Sequence, residues 1–205
     1  MDYNQLVAIL VSSINTTASV ADRLVYSIRK SRKNRLDPLT MAKLESLSDD
    51  DMECIDAYLF RYGSLVSNIQ GGIFKSIFAV EQESIDISNR DKTNLMERFG
   101  ALSSAEEFSS LAIIRNKLMH DYPEEMQKHL DRINFIMTEA SRLVEIFLGI
   151  VKYAEKFGIS PSFDGLHHLS SFINDLTLIC VFCHKTPCEC GGNGGQTKPG
   201  KLRMG

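Results

Sequence analysis

The chain has 205 residues, 43% of them hydrophobic and 24% charged, enough to bury one core with short appendages. A net charge of -3 and a pI near 6.0 exclude a uniformly basic nucleic-acid coat, though not a local basic site. No segment approaches the roughly 20 apolar residues that cross a bilayer, and the N-terminus lacks the pattern of a signal peptide. Gln5, Ser12, Ser13 and Asn15 interrupt its apolar positions.

Four of the five cysteines are crowded together, which fits a reducing compartment better than a disulfide framework, so a soluble cytoplasmic protein is expected. β-branched alternation bounded by turns is almost absent, so the expected class is all-α. The first apolar stripe is Leu6, Leu10, Ile14, Thr17, Ala21, Leu24 and Ile28, at spacings of three and four. It predicts an amphipathic helix over residues 3 to about 33, closed by Asp37-Pro38. Its end carries Arg29, Lys30, Arg32, Lys33 and Arg35, which reads as a solvated helix C-terminus whose cations oppose the dipole.

Ser48 followed by Asp49, Asp50 and Asp51 predicts the next helix start, a capping residue before an acidic first turn. Its stripe, Met52, Ile55, Leu59, Tyr62, Val66, Ile69, Ile73 and Ile77, predicts a long helix at the spine of a bundle. Gly71-Gly72 costs about 1 kcal/mol per Gly against Ala in a helix interior, so close packing is expected there. A short helix over 91–99 should stop at Gly100, and Ser104 with Glu107 has the spacing of a capping box.

The helix after Ser104 should end near His120 or Asp121, because Pro123 drives Tyr122 out of the α region. Pro123 can open the next helix, whose stripe Leu130, Ile133, Met137, Ala140, Leu143, Phe147, Ile150 and Ala154 carries it to about Phe157. Gly158-Ile159-Ser160-Pro161 ends the core. The expected organisation is therefore an up-down bundle of four to five helices over 1–160, then a C-terminal helix or linker over 161–179. A cysteine cluster occupies 180–190, and a Gly-rich basic tail expected to be disordered covers 191–205.

Cys180, Cys183, Cys188 and Cys190 form C-x2-C-x4-C-x-C, thiolates at a spacing that suits a tetrahedral structural zinc. Free thiols are the alternative, since Cys188-Glu189-Cys190 is tight for one ion. His167-His168, His129 and Cys54 need no special role. The carboxylates Glu45, Asp49, Asp50, Asp51, Glu81, Glu83 and Asp86 lie on polar stretches without an inward pattern, which argues against a two-metal nuclease.

The richest chemistry lies in Arg115-Asn116-Lys117-Leu118-Met119-His120-Asp121-Tyr122-Pro123. A permanent cation, an amide, an imidazole and a phenol there could grip a phosphate and move protons around it without a metal. Arg115 aligns with Leu111 and Leu118 on an apolar stripe, where a guanidinium needs an acidic partner or an anion. Asn116 and His120 share a face, whereas Arg115 and His120 stand about 140° apart on an ideal helix. Convergence would need the unwinding helix end or a second protomer. An isolated R-x4-H is weak evidence, since an arginine salt-bridged to a neighbouring helix and a histidine capping a helix end would give the same spacing.

The longer string Arg-Asn-x3-His-Asp-Tyr-Pro is far less generic. With Asp56-Ala57-Tyr58-Leu59-Phe60-Arg61-Tyr62-Gly63 and Phe99-Gly100-Ala101-Leu102, it resembles the HEPN superfamily over roughly residues 3–157. It looks most like the bacterial toxin branch with R-x4-H-x-Y, paired with a minimal nucleotidyltransferase antitoxin. The resemblance implies a metal-independent endoribonuclease, with no cofactor for catalysis. Arg115 and His120 from two protomers would line a homodimer cleft, with RNA as substrate.

Under that resemblance His120 would serve as general acid or base and Arg115 would hold the phosphate. Asn116 would orient His120 or bond the phosphate. Tyr122, otherwise a phenol packed at a helix junction, would receive AMP from the antitoxin. The competing expectations are a non-catalytic HEPN module that docks a nucleotide or nucleotidyltransferase, and a structural adaptor that works through its cysteines.

Overall fold

The computed structural model describes residues 1–84, 86–120, 126–159 and 165–177. Among them there is no strand. The helices are α1 (Tyr3–Lys33), α2 (Met41–Leu44), α3 (Asp49–Asn68), α4 (Phe74–Val80), α5 (Asn89–Arg98), α6 (Ala105–His120), α7 (Met126–Ala154) and α8 (Gly165–Thr177). A π-helical turn, Ile69–Ile73, joins α3 to α4 without a break, and a 3-10 turn, Glu155–Phe157, extends α7. With α3 and α4 counted as one, the described residues form seven helices, which corrects the expected four to five. The surplus has physical causes. The one-turn α2 is too short to show periodicity. The late α8, expected as a helix or linker beyond the bundle, packs on α1 and α7 as a full member of it.

The long helices follow their apolar stripes. Leu10, Ile14, Ala21, Leu24 and Ile28 of α1 are buried, as are Ile133, Ala140, Leu143, Phe147 and Ile150 of α7. Such stripes bury about 1.5–3 kcal/mol of transfer free energy per large side chain, which holds helices that propensity alone would leave marginal. The α3 stripe is buried from Ile55 onward except for the partly buried Leu59, whereas Met52 at its start is 40% exposed. α8 places Leu169 and Phe172 in the same core, against α1 and α7, with the Arg29 guanidinium 5.4 Å from the Phe172 ring centre.

The caps explain the boundaries. Ser48 accepts the Asp51 N–H and opens α3, and Ser88 does the same for Asp91 at the start of α5. Gly100, at φ 79, ends α5 in a Schellman motif: its N–H donates to the Glu97 carbonyl and the Ala101 N–H to Met96. Ser104 Oγ accepts the Glu107 N–H at 3.1 Å. The Glu107 carboxylate, expected to turn back on that cap, instead takes two hydrogen bonds from Arg142 of α7, at 2.6 and 2.9 Å. Arg142 also reaches Glu145 at 2.6 Å. These bonds hold the Glu107 carboxyl below its ordinary range, against the upward push of burial.

Gly71-Gly72 needs a different explanation from the close packing expected. A Cβ at either position would meet nothing within 4 Å, and both residues lie in the π turn. The turn shifts the helix register, and the residues beyond it, Phe74, Ile77 and Phe78, are all buried. Phe74 stacks at a tilt on Phe108 of α6, with ring centres 5.3 Å apart. The bundle end opposite the chain turn at 34–40 is therefore aromatic, while that turn is pinned by Asn134, whose amide both accepts from and donates to the Leu39 backbone at 2.8 and 2.9 Å.

Candidate functional site

The helix bearing the Arg-Asn-x3-His string is set in place by α3, one turn at a time. Tyr62 is fully buried and donates its hydroxyl to the Leu111 carbonyl at 3.2 Å. Leu111 lies one helical turn before Arg115, so this bond fixes the turn from which the guanidinium springs. Burial pushes the Tyr62 phenol far above its ordinary value, so it remains a neutral donor at every physiological pH. One residue on, Gly63 leaves space for the arginine stem: a Cβ there would stand 3.4 Å from Arg115 Nε and 3.5 Å from its Cγ. A Cβ at Gly63 would thus touch the arginine side chain at ordinary contact distance, where one at Gly71 or Gly72 would touch nothing.

Arg115 is half-buried, and its partners among the described residues are neutral. Nη2 donates to Ser67 Oγ at 2.9 Å, and Nη1 donates to Asn116 Oδ1 at 2.8 Å. Nε is buried with no hydrogen-bond partner. No described carboxylate pairs with this guanidinium, although the apolar position predicted an acidic partner or an anion. Gly63 and Ser67, four residues apart on α3, make the cradle. Sequence reading named Gly63 only within the wider resemblance and missed Ser67, because a partner 48 residues away leaves no periodic signal.

Asn116 is exposed and its carbonyl oxygen accepts from Arg115, which leaves the amide nitrogen as the donor this side chain can offer. His120 is the last residue of α6, and its side chain lies outside the described residues. Tyr122 and Pro123 lie outside them as well. On the helix, five residues separate Arg115 from His120 by about 7.5 Å of rise, so both occupy the final turns of α6.

The other candidates take ordinary places. Cys54 is buried and unbridged, and burial raises its thiol. His167 and His168 are exposed on α8, and His129 is half-buried with Nδ1 lacking a partner. Glu81 accepts from Tyr153 at 2.5 Å and pairs with Lys156, so it serves the α4–α7 junction. The expected structural zinc is withdrawn: among the described residues, no group of three or more His, Cys, Asp or Glu could hold a metal ion. Its intended ligands Cys180, Cys183, Cys188 and Cys190 lie outside the described residues, as does the tail over 191–205.

No described helix is long and apolar enough to cross a membrane. Comparison with protein-family models, with curated proteins and with solved structures returns no match.

Proposed function

We propose that this chain is a HEPN-type, metal-independent endoribonuclease that acts in the cytoplasm as the toxin of a two-component system. The observation that carries the reading is the state of Arg115. A half-buried guanidinium whose partners among the described residues are Ser67 and Asn116, with Nε unpartnered there, reads as a cation suited to an external anion. A phosphodiester supplies that charge, and its planar oxygen pair matches the guanidinium fork.

In the proposed reaction the 2′-hydroxyl of RNA attacks the adjacent phosphorus. A new P–O bond forms, the bond to the 5′-oxygen breaks, and a 2′,3′-cyclic phosphate remains. Arg115 stabilises the charge that builds on the non-bridging oxygens. His120 takes the hydroxyl proton or returns one to the departing oxygen, as an imidazole can do in either direction. Since the two residues diverge by about 140° on one helix, the complete site draws them from two protomers across a homodimer cleft. Asn116 keeps the guanidinium aimed and offers its amide nitrogen to the phosphate.

Regulation follows at Tyr122. A partner nucleotidyltransferase would join the phenol oxygen to the α-phosphorus of ATP, with loss of the phenolic proton and release of pyrophosphate. The added phosphate would repel the RNA backbone at the cleft.

Purified His120→Ala should cut RNA at least about 100-fold more slowly than the wild type. Wild-type products should end in 2′,3′-cyclic phosphate; unaltered cleavage by His120→Ala would refute the mechanism. Intact mass after co-expression with the neighbouring nucleotidyltransferase should show one AMP on the Tyr122 peptide, and its absence would remove the regulatory part.

A further inference from the structure

A groove of about 720 Å³, lined by both polar and apolar surface, runs between α5 and α6 and includes Asn116, the residue that buttresses Arg115. Along its α6 wall Ala105, Ser109, Ala112 and Asn116 recur at spacings of three and four, which defines one helix face, flanked by Glu106 and Ile113. The face runs toward the end of α6, where His120 lies. Across the gap α5 supplies Asn89, Arg90 and Asn94, and Gln70 enters from the π turn, an element that recurs at functional sites.

The chemistry of this lining is specific. Gln70, Asn89, Asn94 and Asn116 each present a carboxamide, with hydroxyls from Ser109 and Ser110 between them. The charged lining residues are Arg90, Glu97 and Glu106, an excess of one negative charge, and the Glu97 carboxylate is occupied by the Ala105 N–H at 3.0 Å. Such a surface is ill suited to phosphate. It is well suited to base edges, which offer paired donors and acceptors that amides match and charges do not. Its volume lies within the range of small-ligand sites, and unstacked bases of single-stranded RNA are the form in which those edges are accessible.

We infer that the α5–α6 groove reads bases beside the scissile phosphate, so that this chain cuts single-stranded RNA with a base preference set by Gln70 and Asn94. The inference rests on the proposed ribonuclease reading and adds the specificity determinant. Phosphate grip and base reading are divided between two sides of α6: Arg115 lies against α3, and the groove side faces the amides of α5 and the π turn. Asn116 joins them.

The test is to incubate an unstructured RNA library with wild type, Gln70→Ala and Asn94→Ala and to sequence the new ends. A groove-filling Ser109→Trp is included, with circular dichroism to establish that each variant folds. The wild type should favour particular bases near the cut. Gln70→Ala or Asn94→Ala should lower the ratio between best and worst base about tenfold while total cleavage stays within a few-fold. Ser109→Trp should impair cleavage of all sequences by blocking the groove. If folded Gln70→Ala and Asn94→Ala both keep the wild-type preference, or lose cleavage uniformly across sequences, the base-reading role is overturned. A folded wild type that cuts no RNA would overturn the ribonuclease reading itself, and the groove's assignment with it.

Discussion

Two arginines on neighbouring helices of this bundle are treated in opposite ways. Arg142 of α7 is saturated, with Glu107 and Glu145 both within 2.6 Å of it. Arg115 of α6, half-buried, has a serine and an asparagine as its described partners and keeps Nε without one. Among the described residues the fold supplies carboxylates to Arg142 and none to Arg115. Under the proposed function the contrast separates a structural cation from one that takes an external anion, since an unpaired charge in a partly dry setting is costly unless a ligand relieves it.

The sharpest way to break the comparison is to remove each arginine in turn. Arg115→Ala should reduce RNA cleavage at least about 100-fold while changing stability little, because its neutral partners can rebond to water. Arg142→Ala should leave cleavage within a few-fold and lower stability by about 1 kcal/mol, the value of a charged bond network discounted for solvent screening. Paired cleavage assays and denaturant melts check both, and identical behaviour of the two variants would erase the distinction.

A second change converts one arginine into the other kind. Ser67→Asp puts a carboxylate where Arg115 now bonds a hydroxyl, and cleavage should drop about tenfold as the new anion competes with phosphate. The melting temperature should stay level or rise. A Ser67→Asp protein as active as the wild type would show that Arg115 does not hold the substrate.

The smaller effect concerns pH. Arg142's hydrogen bonds keep the Glu107 carboxyl below its ordinary value of 4.5, despite the opposing push of burial. A carboxyl whose folded pKa is depressed stabilises the fold above its unfolded pKa. That contribution is lost as pH falls through the lowered folded value. The melting temperature should therefore drop between pH 5 and pH 3, and Glu107→Gln should show a shallower drop; parallel curves would remove Glu107 from the acid response.

What sequence pattern could reveal was local. The stripes of α1, α3 and α7 were legible because burial repeats at 3.6 residues, and Gly100 and Ser104 were legible because caps need particular residue types. Long-range choices were not. Glu107 has the spacing of a capping box, yet a stronger cation 35 residues away claims it. Ser67 has no feature that announces a bond to Arg115, and Gly71-Gly72 looks like a packing device although nothing packs there. α2 is a single turn that no periodicity can flag, and the zinc expectation rested on spacing alone.

The π turn also bears on how this protein tolerates change in length. One additional residue in the turn between α3 and α4 means that excising Gly71 would let the segment wind as an ordinary α-helix. Phe74, Ile77 and Phe78 should then keep their buried face, because the turn absorbs the extra residue locally. Exchanging Gly71 for alanine also leaves the phase intact and meets no neighbour, and should stabilise the helix by about 0.5–1 kcal/mol. The same site should thus forgive both a new methyl group and a missing residue, whereas a one-residue deletion within α3 or α4 would turn every side chain beyond it by about 100°.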